Sequence, residues 1–108
     1  MEQLPAELEV THRVDGDRLI VTVTGELDLH SATALQRDID ALSPFSHRVT
    51  LDLAGVGFID STGIRALLAV NARATETTGS PVTIANPTES TRRLLELTGI
   101  DRVFELEG

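Results

Sequence analysis

LDLAGVGFIDSTGIRALL, Leu51 to Leu68, changes its rhythm half-way. Val49, Leu51 and Leu53 alternate with Thr50 and Asp52, the two-residue period of a β-strand. An AGVGFI connection follows. Then Ile64, Leu67, Leu68 and Asn71 share one face at helical spacing. Asp60-Ser61-Thr62-Gly63 sits at the junction. The stretch reads as strand, connection and helix, and the rest of the chain decides whether that unit repeats.

Towards the C-terminus it does. Gly79 is placed to end the helix, and Pro81 follows. Val82-Thr83-Ile84-Ala85 reads as a short strand. Thr88 is the expected N-cap of a third helix, with Thr91, Leu94, Leu95 and Thr98 as its stripe. Gly99 stands just past its end, with Ile100 folding back. Val103-Phe104 reads as a last short strand.

Towards the N-terminus the order differs. Leu8, Val10, His12 and Val14 alternate with polar residues, and Asp15-Gly16-Asp17 signals a hairpin turn. Leu19, Val21 and Val23 alternate with Ile20, Thr22 and Thr24 in a strand apolar enough to be interior. Gly25-Glu26-Leu27-Asp28 closes it. Ser31 is the expected N-cap of a helix carrying Ala32, Leu35, Ile39 and Leu42, and Pro44 lies beyond its end. The predicted order is ββαβαβα and then a last β. Strands alternating with helices pair in parallel through right-handed crossovers. The class is therefore α/β: a mixed, mostly parallel sheet of four or five strands with about three helices packed on it.

The 108 residues fit one domain, residues 1–108, with its core over about 8–106. Hydrophobic residues make up 41% of the chain and aromatics only 3%, so Leu, Ile, Val and Ala must fill the core. Cysteine is absent, which excludes disulfides, thiol catalysis and thiolate zinc sites. No apolar run reaches the roughly 18 residues of a membrane span, so no membrane partner is expected. The acidic start, MEQLPAELEV, lacks a basic, apolar signal segment, and a cytoplasmic location is expected. The net charge of −8 repels phosphate backbones and argues against nucleic acid. All nine basic residues are arginine, so no lysine-dependent phosphate or Schiff-base chemistry can occur.

Asp-Ser-Thr-Gly then has three readings. Asp60 can cap the helix, with Ser61 an ordinary first-turn residue. Ser61 can be a nucleophile, but the position two before it is Ile59 rather than the glycine of the usual elbow. Nothing in the sequence brings His12, His30 or His47 to it either. The histidines are isolated and form no metal-binding pair, and no cofactor is expected. Asp52 and Asp60 could form an acidic pair, yet a phospho-accepting aspartate would want a lysine nearby. In the third reading Ser61 is itself a substrate. A phosphate there gains from the helix N-terminus and is opposed by Asp60.

VTGELDLHSA, LDLAGVGFIDSTGIRALL and LLELTGIDRVFEL fall in order along the chain. Together they resemble the STAS domain of bacterial anti-sigma factor antagonists over roughly Leu8 to Leu106. The resemblance implies a non-enzymatic partner switch. The unmodified antagonist binds an anti-sigma factor serine kinase and frees the sigma factor. Phosphorylation releases the antagonist, and a serine phosphatase resets it. The modified serine corresponds to Ser61. The partner surface corresponds to Asp28, Asp60, Ser61, Thr62, Gly63 and Arg65. Asp28 reads equally as a residue that starts a helix. Many members carry a small residue where this chain has Arg65, which could meet a phosphate or a partner carboxylate, or stay solvated. His30 and Ser31 lie nearby, but nothing selects them. The alternative is a stand-alone STAS binding module that senses nucleotide or serves a lipid transporter or stress-signalling complex. A free sheet edge or apolar patch would also support a weak homodimer.

Overall fold

Gly16 takes a positive φ of 63° between Glu9–Asp15 (β1) and Arg18–Leu27 (β2). A positive φ at the first of two loop residues suits the twist of a tight hairpin. The two strands pair antiparallel from Glu9↔Thr24 to Asp15↔Arg18. The computed structural model describes residues 8–42 and 44–107. After the hairpin come Ala32–Asp40 (α1), Arg48–Ile59 (β3), Ser61–Thr78 (α2), Thr83–Ala85 (β4) and Glu89–Leu97 (α3). A 3-10 turn, Ile100–Arg102, leads into Glu105–Glu107 (β5).

The strands lie in the order β1-β2-β3-β4-β5, parallel from β2 onwards. The expected α/β class is what the chain forms. Each crossover steps one strand in the same direction, and right-handedness then puts α1, α2 and α3 on one face. The core lies between. Val21, Val23, Leu51, Leu53 and Ile84 point in from the sheet; Leu35, Ile39, Leu67, Val70 and Leu95 meet them from the helices. No helix among the described residues is long and apolar enough to cross a membrane.

The other face carries Ile20, Thr22, Thr50 and Thr83. Thr50 and Thr83 are only 4% exposed although no helix among the described residues covers them. Arginine arms shield them. Arg18 donates to Thr50 Oγ1 at 3.1 Å and pairs with Glu107 at 3.6 Å, and Arg48 pairs with Glu105 at 3.7 Å.

Several details depart from expectation. AGVGFI is no loose connection: β3 runs through it to Ile59, and Leu27 pairs with Ile59. The partnership survives because β3 carries an extra residue at each of two register shifts, opposite Val23 and between Gly25 and Glu26. Bulges break the alternation by which a strand is recognised. Gly55 is needed at the first, since a Cβ there would meet Thr24 Cγ2 at 2.6 Å. The last strand is β5 rather than Val103-Phe104. Val103 N–H closes the 3-10 turn on the Ile100 carbonyl, Phe104 is buried, and pairing starts at Glu105. Thr98 is exposed and belongs to the end of α3, where its hydroxyl donates to the Leu94 carbonyl at 2.7 Å.

Candidate functional site at the strand ends around Ser61

β2 and β3 end side by side, and their last pair, Leu27↔Ile59, sets the site. Asp60 follows with its N–H donating to the Leu27 carbonyl at 3.2 Å. Its backbone is extended, with φ −114° and ψ −173°, so α2 begins one residue later. Asp60 Oδ1 accepts from Gly63 N–H at 3.0 Å, and the Asp60 carbonyl accepts from Ile64 N–H at 3.0 Å. Asp60 is thus the helix cap.

Gly63 is buried, and its missing side chain is what the geometry requires. A Cβ there would run into the Leu27 carbonyl oxygen and would lie 2.9 Å from Ile59 Cγ1 and Leu27 Cγ. The first turn of α2 therefore sits directly on the ends of β2 and β3. That contact fixes the height of Ser61 above the sheet.

Ser61 is the first residue of α2 and is exposed. Its hydroxyl has no hydrogen-bond partner among the described residues. The Ser61 and Thr62 amides, in the unpaired first turn, have no acceptor there either. Thr62 is half-buried. Arg65 stands four residues after Ser61, on the same helical face, exposed and with no ion pair among the described residues.

Asp28 joins them from the neighbouring strand end. Its Oδ1 accepts from His30 N–H at 2.9 Å and Ser31 N–H at 3.1 Å. Ser31 occupies the N-cap position of α1 but makes no side-chain cap bond. Its hydroxyl instead reaches back to the Glu26 carbonyl at 2.7 Å and to Asp28 Oδ1 at 3.3 Å, while accepting from Asp28 N–H at 3.0 Å. The expected serine cap is therefore an aspartate turn braced by the serine. Partial desolvation pushes the Asp28 carboxyl up. The Ser31 and His30 amides, the Ser31 hydroxyl and the charge of His30 outweigh it and hold the group below its ordinary value.

All six residues singled out from the sequence thus gather at one end of β2 and β3. Asp60 and Gly63 build the surface; Asp28, Ser61, Thr62 and Arg65 present it. His12 is on β1, and His47 meets Ser46 Oγ at 3.2 Å. Among the described residues no group of His, Cys, Asp and Glu is placed to hold a metal ion. Asp52 is spent locally, accepting from Ala54 N–H at 3.1 Å. Sequence reasoning missed Phe58, Leu29 and Leu97, which are exposed apolar side chains. For Phe58 the bulge beside it hid the signal.

Residues 10–107 match the family model described as Mlab, STAS domain. The chain belongs to the STAS domain family. This STAS domain is similar to an anti-sigma factor antagonist from Mycobacterium paratuberculosis, with 28% identity and a TM-score of 0.84. That match covers 98% of this chain and 90% of the other. The fold also matches the Bacillus cell fate determinant SpoIIAA in its phosphorylated form. There the TM-score is 0.66 at 17% identity, over 92% of this chain and 89% of that one. It recurs in the murine anion transporter Slc26a9, with a TM-score of 0.72 and 16% identity. In that case 90% of this chain matches 19% of the transporter.

Proposed function

We propose that this STAS domain is an anti-sigma factor antagonist switched at Ser61. The carrying observation is the Ser61 hydroxyl: exposed, without a partner among the described residues, and held on a fixed helix start. Unmodified, the surface of Asp28, Ser61, Thr62 and Arg65 binds an anti-sigma factor kinase and so frees the sigma factor. The kinase moves the γ-phosphoryl group of ATP to Ser61 Oγ. The hydroxyl proton leaves, the bond to the β-phosphate oxygen breaks, and ADP departs. A serine phosphatase hydrolyses the ester and resets the switch.

The physics favours release over unfolding. A phosphoserine adds about −1.5 to −2 charge at neutral pH. The free first-turn amides and the helix dipole can hold it, and the Asp60–Gly63 cap does not depend on Ser61. The cost falls on a partner packed against a neutral hydroxyl. Burying the new charge without a cation costs several kcal/mol, roughly 3–5 by analogy with broken buried ion pairs. With the cognate kinase, ATP should dissociate the wild-type complex, and Ser61→Ala should stay bound. Release of Ser61→Ala on ATP addition would refute the switch.

A second reading is a STAS module serving another machine, favoured by the recurrence of the fold within the murine transporter. Calorimetry with ATP and GTP, with pull-down of transport subunits, separates the two.

A further inference from the structure

Phe58 is 51% exposed near the end of β3, and Leu97 on α3 is 78% exposed. A groove of about 280 Å³ is lined by these two residues together with Gly57, Arg93 and Leu94. It exists because β4 stops early. β4 pairs with β3 only from Thr50 to Asp52, so among the described residues no strand flanks the later residues of β3 on that side. α3 stands beside them instead. Gly57 borders open space, where a Cβ would meet nothing within 4 Å. Arg93 has no ion pair among the described residues.

We propose that this groove is the second half of the kinase-docking surface. It takes an apolar segment of the anti-sigma factor kinase that carries a carboxylate to Arg93. The inference rests on the switch reading of Ser61. Two observations select this occupant. The groove adjoins the switch along the chain, because Phe58 and Ile59 line it and Asp60 and Ser61 are the next two residues. Charge supplies the second. Among the described residues that line the groove, Arg93 alone is charged, on a chain of net charge −8. An acidic group is repelled by the bulk of the molecule and attracted there. The apolar contacts do not involve the Ser61 hydroxyl, so the groove supplies affinity for both states while Ser61 discriminates between them.

The test is calorimetric titration of the full chain with each anti-sigma factor kinase of the source organism, without ATP. Wild type and Ser61→Ala should bind one of them, and Ser61→Asp should not. Leu97→Ser, at an exposed position that cannot unfold the core, should weaken that binding about tenfold, the range of an apolar hot spot. Phe58→Ser should do the same, and Arg93→Glu should weaken binding while Arg93→Lys largely keeps it. If Ser61→Asp abolishes binding but the groove variants bind as wild type does, the groove is refuted and the switch stands. Groove variants that lose only self-association would refute it equally, in favour of a second copy as occupant. If no kinase binds wild type, both readings fall.

Discussion

A methyl group at position 63 would collide with the Leu27 carbonyl, so Gly63→Ala must lift the first turn of α2 or bend the end of β2. Overpacking of this kind costs about 1–3 kcal/mol. Gly63→Ala is therefore expected to lower the urea midpoint and also to weaken kinase binding, because Ser61 moves with the turn. Asp60→Ala removes one side-chain bond to Gly63 N–H and should cost about 1 kcal/mol, with less effect on where Ser61 stands. Equilibrium unfolding with a binding titration checks both. At this scale the sequence was informative: an acid three residues before a glycine at a helix start is a cap signal. The reason for the glycine was not legible. It depends on a carbonyl 36 positions back, which only the pairing of Leu27 with Ile59 brings underneath.

Elements show the same division. Helices α2 and α3 begin and end where cap residues and glycines predict, with Gly79 at φ 76° and Gly99 at φ 74°. The extent of β3 and the cap of α1 were not readable. The first depends on where extra residues are absorbed across a strand pair, and the second on which of two nearby oxygens reaches the amides. Buried Asn71 shows how a polar residue on a helix's inner face is satisfied. Its Oδ1 accepts from Val82 N–H at 2.8 Å, tying α2 to the chain just before β4. Asn71→Leu leaves that buried donor unpaired and should destabilise by about 1–3 kcal/mol in thermal or urea unfolding. For α1, the Asp28 carboxyl is held below its ordinary value of 3.8, so the unfolded state takes up its proton first as pH falls. The charged form's contribution is present above that value and is lost as pH drops through the folded value. Wild type should therefore exceed Asp28→Asn in stability at neutral pH, with the gap closing below pH about 4. A gap unchanged down to that pH would show that the charge is immaterial to the turn.

On the scale of the whole molecule, three right-handed crossovers stepping one way give the chain two unlike faces and two unlike ends. One face is the core. The other is polar and shielded by Arg18 and Arg48. At one end β2 and β3 finish together beyond the shorter β4, and there the Asp28 turn, the start of α2 and the Phe58 groove lie close in the chain. The α/β class and the gathering of the six site residues follow from alternation and motif order, which the sequence displays. The groove does not, because it arises from the unequal lengths of β3 and β4. We propose that this end is a serine-switched docking surface. Its most direct test is the intact mass of the protein purified from its own cells, before and after phosphatase, with fragmentation to locate the site. A species one phosphate heavier that maps to Ser61 and vanishes on phosphatase treatment is expected. Unmodified protein under both growth and stress, or a phosphate mapped elsewhere, would contradict it.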